Sequence, residues 1–131
     1  MYVIDTNTLI YFFKGMGNVP EKFLSISPKD IAIPSVVIYE LEFGIAKSTS
    51  PKKRQAQLSD LCSLVKILPF GDKEASASAA IRAKLEKKGT PIGPYDILIA
   101  GTALVHQGIL VTNNLKEFSR IPKLKTENWC C

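Results

Sequence analysis

The sequence predicts an α/β domain: a central, mostly parallel sheet of about four to five strands with helices on both faces. Three observations lead there. Short, apolar, β-rich runs alternate with helical stretches, the pattern of a parallel sheet joined by helical crossovers. The runs are apolar at nearly every position, as strands covered on both faces require. No repeat, low-complexity tract or dividing linker interrupts the 131 residues, a usual size for one domain, so residues 1–131 are expected to form a single unit.

Taken in order, Tyr2 to Ile4 reads as the first strand. Thr6 or Asn7 is placed to cap a helix through Leu9, Ile10 and Phe13 that ends near Gly15 and Gly17. Ile31 to Ile33 is a second strand, closed by Pro34, with Ser35 placed to cap a helix from Val36 to about Lys47. Ser48 to Arg54 reads as a turn, and Arg54 to about Leu64 as a helix. Val65 to Leu68 is a third strand, stopped by Pro69. Asp72 begins an alanine-rich helix that runs to Lys88 and ends at Gly89, and GTPIGP is a rigid loop by composition. Asp96 to about His106 is an apolar helix, buried on most sides and ended by Gly108. Ile109 to Thr112 is a fourth strand, Asn113 and Asn114 a turn, Lys116 to Ser119 a short helical turn, and Leu124 to Thr126 an edge strand.

Composition removes several function classes. The apolar share is 46% and the charged share 22%, ordinary for a globular protein. No apolar run reaches the ~18–20 residues needed to span a bilayer. The opening MYVIDTNTLIYFF carries Asp5 and lacks a basic leader and a small-residue cleavage site, so it reads as buried strand and helix, not a signal peptide. Three cysteines, Cys62, Cys130 and Cys131, make no disulfide framework and fit a reducing cytoplasm. His106 is the only histidine, which argues against a zinc site and a Ser-His-Asp arrangement and leaves it a structural or surface role. No Gly-rich phosphate loop is present. The net charge of +5 raises the odds of a nucleic-acid partner only modestly. Basic residues gather at Lys47, Lys52, Lys53 and Arg54, at Arg82, Lys84, Lys87 and Lys88, and at Lys116, Arg120, Lys123 and Lys125.

Polar residues fall at strand ends and helix starts, where doubly wound sheets bind ligands. Asp5 follows the first strand and fits either a metal ligand at the sheet's rim or a helix cap. Glu40 and Glu42 flank the apolar face of the helix through Leu41 by similar angles, and periodicity does not choose between them. Asp96 opens an otherwise apolar helix, where a carboxylate interacts with the helix dipole or needs a cationic partner. Asn113, Asn114 and Glu117 follow the last long strand. An oxygen-rich set without His or Cys suits magnesium or manganese better than zinc.

With those residues in view, the sequence resembles VapC toxins of the PIN-domain ribonucleases over nearly its whole length. VIDTN resembles the family's first motif, SVVIYELEFG its second, GTPIGPYDILIAGTAL its most specific segment, and LVTNNLKEFSRIPKLKTENW its C-terminal segment. The resemblance implies a PIN-domain fold and selects Glu40 over Glu42. Asp5, Glu40 and Asp96 would be the central metal-binding acids. Asn114 stands where many PIN domains carry a fourth acid, and Glu117 would supply a carboxylate from the same side. Thr6, Asn7, Thr112 and Asn113 would position ligands or waters. No chemistry is assigned to Tyr95.

The resemblance further implies a Mg2+-dependent (or Mn2+-dependent) endoribonuclease that cleaves a tRNA or rRNA loop by metal-activated water, leaving 5′-phosphate and 3′-hydroxyl ends. It implies a homodimer, a VapB-type antitoxin that blocks the acidic site, and contact with DNA only through that antitoxin. Phe12, Phe13, Leu58 and Leu61 would serve those interfaces or the core. Two alternatives compete: a catalytically weak PIN-like RNA-binding module, and a receiver-type signalling domain, which would need a phosphoacceptor Asp at the end of a middle strand.

Overall fold

The computed structural model describes residues 1–130; Cys131 lies outside the described residues. Strands β1 (Tyr2–Ile4), β2 (Ile31–Pro34), β3 (Lys66–Leu68), β4 (Ile109–Val111) and β5 (Lys125–Glu127) form one sheet in the order β3-β2-β1-β4-β5. Every neighbouring pair is parallel. The central strands are buried at consecutive positions: Val3 and Ile4 on β1, and all four residues of β2. Successive side chains point to opposite faces, so both faces of the sheet's centre are covered.

The connecting helices are α1 (Thr6–Lys14), α2 (Val19–Leu24), α3 (Ser35–Ala46), α4 (Pro51–Cys62), α5 (Asp72–Lys87), α6 (Pro94–Val105) and α7 (Leu115–Phe118), with a 3-10 turn at Pro28–Asp30. Four expectations need correction. Asp5, not Thr6 or Asn7, caps α1 through its own side chain. Ser35 is the first residue of α3 and caps nothing; Pro34 holds the cap position. α4 begins at Pro51 rather than Arg54, because proline has no N–H to lose in the first turn and its fixed φ suits a helix start. α2 was not anticipated; Pro20 lies in its first turn, and it buries Val19 and Phe23 one turn apart.

Phe13, Leu58 and Leu61 belong to the core, and Phe12 is half-buried and stacks on Phe23 with ring centroids 4.1 Å apart. α6 lies close against α5 at Gly101, where any Cβ would collide with Ser78. No helix among the described residues is long and apolar enough to cross a membrane.

Candidate active site

β1 and β4 are neighbours at the sheet's centre, and the chain winds outward from them in opposite directions, β1 to β2 and β3, β4 to β5. A crevice opens outside the carboxyl ends of strands at such a switch point. Asp5 leaves β1 there, and Thr112, Asn113 and Asn114 leave β4.

Asp5 is held from several sides. Its N–H donates to the Val111 carbonyl at 3.1 Å, which extends the β1–β4 ladder by one residue. Its Oδ1 accepts the Thr8 N–H at 2.9 Å, an N-cap bond. The Thr8 hydroxyl donates to the Val111 carbonyl at 3.3 Å, tying the first turn of α1 to β4. Asp5 is only 5% exposed. Burial pushes its carboxyl above the ordinary range, while hydrogen bonds from Thr112 and Thr8 pull it part of the way back. Thr112 is fully buried, and its hydroxyl accepts the Asn114 N–H at 3.0 Å.

Glu40 reaches the crevice from α3. Its Oε1 accepts the Thr6 hydroxyl at 2.9 Å, a bond between helices 34 residues apart in sequence. Glu42 is exposed, and its charge, after burial, raises the Cys62 thiol on α4. The rotation of α3 therefore separates the two glutamates, one toward α1 and one toward α4.

Asp96 is the third residue of α6 and half-buried. Its pKa is pushed up to about 6, first by burial and then by the negative charges of Asp5, Glu40 and Glu117. Acids from three other segments thus bear on Asp96. Glu117 lies on α7, half-buried, and Asn114 stands at the start of that helix. None of the four acids has a cationic side chain within ion-pair distance among the described residues. Asn7 is exposed, and Asn113 donates its amide to the Tyr11 hydroxyl at 3.1 Å. No hydrogen bond among the described residues ties either asparagine to the acids.

The donor set is all oxygen and lacks a protein cation, which fits a hard divalent ion. Among the described residues no three acids stand close enough to form a ready-made direct ligand set. Magnesium keeps several waters and takes only one or two carboxylates, so wider spacing is compatible with it.

The PIN-domain family profile matches residues 2–124. The chain belongs to the PIN-domain family. Within that family it groups with the VapC ribonucleases. It is 36% identical over 129 residues to the tRNA(fMet)-specific endonuclease VapC of Salmonella typhimurium, covering 98% of each chain. It is 38% identical over 131 residues to Ribonuclease VapC2 of Rickettsia felis, again over 98% of each. Among solved structures it matches a chain of DNA-bound VapBC from Salmonella typhimurium at 38% identity and a TM-score of 0.91, and one of VapBC2 from Rickettsia felis bound to a promoter DNA fragment at 37% and 0.90, covering 98% of each chain in both. PIN nucleases are in general metal-dependent.

Two features of this PIN domain escape a reading of its sequence. Thr8, buried at 3% exposure, anchors Asp5 and β4 together; its position three residues after an acid is the signal of a cap. Tyr39 and Tyr95, each just before an acid of the site, meet with their hydroxyls 3.4 Å apart, and nothing in the spacing joins them. His106 pairs with Glu74 at 3.2 Å on the far end of α6, consistent with a structural role.

Proposed function

We propose that this chain is the toxin half of a VapBC-type toxin–antitoxin pair, an endoribonuclease acting on a tRNA or rRNA loop in the cytoplasm with Mg2+ or Mn2+. The charges of Asp5, Glu40 and Glu117 bearing on Asp96, with Asp5 leaving β1 at the switch point, carry the reading. The similar Salmonella protein is named a tRNA(fMet)-specific endonuclease, which makes initiator tRNA the first substrate to try.

In this reading Asp5, Glu40 and Asp96 hold the ion, with Asn114 beside them and Glu117 joining through water. When bound, such an ion lowers the pKa of a water and neutralises charge on the scissile phosphate. Asp5 is fixed by Thr8 and Thr112, and Glu40 by Thr6, so two acids are positioned before substrate arrives. Asn7 and Asn113 are exposed, and in this reading their amides meet the RNA or ordered water. Asn114 carries no charge, which favours one tightly held ion over two. The basic stretches supply sequence-independent grip on backbone phosphates.

The solved neighbours are VapBC complexes, and a VapB-type antitoxin is the expected partner here, with DNA reached only through it. A groove of about 440 Å3 between α1, α3 and α4 is lined by Glu40, by the apolar Ile10, Leu41 and Ile45, and by the basic Lys14, Lys53 and Arg54. An antitoxin segment lying there would reach the acids and block them. A homodimer is also expected.

Purified protein incubated with tRNA and Mg2+ or Mn2+ should cleave it, and EDTA should stop the reaction. Asp5→Asn and Asp96→Asn should abolish cleavage with the fold intact. Unaltered cleavage in either variant defeats the site assignment. RNA binding without cleavage by the wild type favours the binding-module alternative.

A further inference from the structure

The acids account for phosphate chemistry but offer nothing to hold a base. The side chains beside them do. Tyr39 immediately precedes Glu40, and Tyr95 immediately precedes Asp96. Their rings lie 5.6 Å apart at 52°, their hydroxyls 3.4 Å apart, and they are 55% and 44% exposed. One turn along α3 from Tyr39, Phe43 is 57% exposed. Lys47, a further turn on, places its ammonium 4.7 Å from the centre of the Phe43 ring. Two aromatic rings and a cation thus follow one stripe of α3 at four-residue spacing, with Tyr95 joining at the end nearest the acids. Exposed aromatic residues are unremarkable singly; three set beside the proposed site, two of them in contact and the third under a cation, are not the same case.

We infer that Tyr39 and Tyr95, continued by Phe43, form a stacking ledge for unpaired nucleobases next to the cleaved bond, with Lys47 taking a flanking phosphate. The inference rests on the nuclease reading and adds how that site grips its substrate. A single strand presents flat base faces alternating with phosphates, and proteins hold it with aromatic platforms and nearby cations. Tyr39 and Phe43 are about 6 Å apart along the helix axis, a step suited to neighbouring bases of an extended strand. Paired bases are already stacked on each other, so the ledge selects loops and unpaired ends. A protein partner would need no continuity between the ring row and the acids; an RNA strand running through the acidic pocket does.

The test uses full-length protein and a single-stranded RNA oligonucleotide that the wild type cleaves, in versions carrying one abasic nucleotide on either side of the cleaved bond. Tyr39→Ala and Tyr95→Ala should each raise KM roughly 5- to 50-fold, as loss of one stacked base does, with kcat changed less than about 2-fold. Tyr39→Phe and Tyr95→Phe should restore most of that loss. An abasic nucleotide at the stacked position should weaken cleavage by the wild type but add nothing in the matching alanine variant. An unchanged KM in both alanine variants overturns the ledge, as do abasic and alanine losses that simply multiply. Alanine variants that fall from dimer to monomer in sedimentation, losing rate equally on intact and abasic RNA, also overturn it and assign the rings to a second copy. If the wild type cleaves no RNA with either metal, the nuclease reading itself fails and the ledge falls with it.

Discussion

Replacing Asp96 by Asn should stabilise the metal-free protein while abolishing RNA cleavage. Asp96 titrates near 6 in the folded chain instead of at 3.8, because burial and three acidic neighbours oppose its charge. A raised carboxylate pKa favours folding only while the group is protonated. No stability is lost below the unfolded value near 3.8; the loss grows as pH rises toward 6 and is complete above it. A shift of roughly two units corresponds to about 3 kcal/mol at most. The side chain is only half-buried, and solvent screening reduces this to about 1–2 kcal/mol. Asn keeps the shape and removes the charge, so at pH 8 in EDTA the variant should melt about 3–8 °C above wild type. At pH 5 the advantage should shrink to roughly half, since the folded wild type is then mostly protonated at this group. Adding Mg2+ should raise the melting temperature of wild type more than that of the variant. Thermal unfolding followed by circular dichroism, with tRNA cleavage on the same samples, supplies both readouts. A variant that melts at or below wild type in EDTA at pH 8 would refute the claim that the acids repel one another in one pocket.

The other predictions concern the groups around that pocket. Asp5→Asn should keep the bond to the Thr8 N–H and the fold but lose cleavage, whereas Asp5→Ala should also cost about 1 kcal/mol of cap energy; equal denaturation midpoints for the two would contradict the capping role. Thr6→Val removes the 2.9 Å hydrogen bond to Glu40 and should raise the Mg2+ concentration needed for half-maximal rate several-fold, read from a metal titration. Its stability cost should be about 0.5–1.5 kcal/mol. Asn114→Asp should lower the Mg2+ requirement and reduce metal-free stability, and an unchanged requirement would show that this position faces away from the ion. Gly101→Val should cost about 1–3 kcal/mol or more in urea unfolding, since its side chain meets Ser78 across the α5–α6 contact.

Much of the architecture was legible because hydrophobic runs and breakers spoke together. Ile31 to Ile33 ends at a proline, and the alanine-rich helix after Asp72 ends at Gly89, whose φ of +72° suits glycine. Boundaries failed where one residue has two possible roles. Ser35 looks like a cap but lies inside α3, because Pro34 already supplies the extended residue before the helix. Pro51 reads as a turn residue yet opens α4. Asp5 caps α1 and also acts through its charge on Asp96, so the capping role leaves its proposed metal role open. The choice between Glu40 and Glu42 was beyond periodicity, since both flank the same apolar face; the hydroxyl of Thr6, 34 residues away, distinguishes them. The meeting of Tyr39 with Tyr95, 56 residues apart, depends on how α3 and α6 pack and leaves no local trace.

The most direct measurement is anomalous diffraction from crystals soaked in Mn2+. A manganese peak within coordinating or water-bridged distance of Asp5, Glu40 and Asp96, lost in the Asp96→Asn variant, is the expected result. Manganese bound elsewhere, or a crystal structure with those three carboxylates facing separate surfaces, would contradict it.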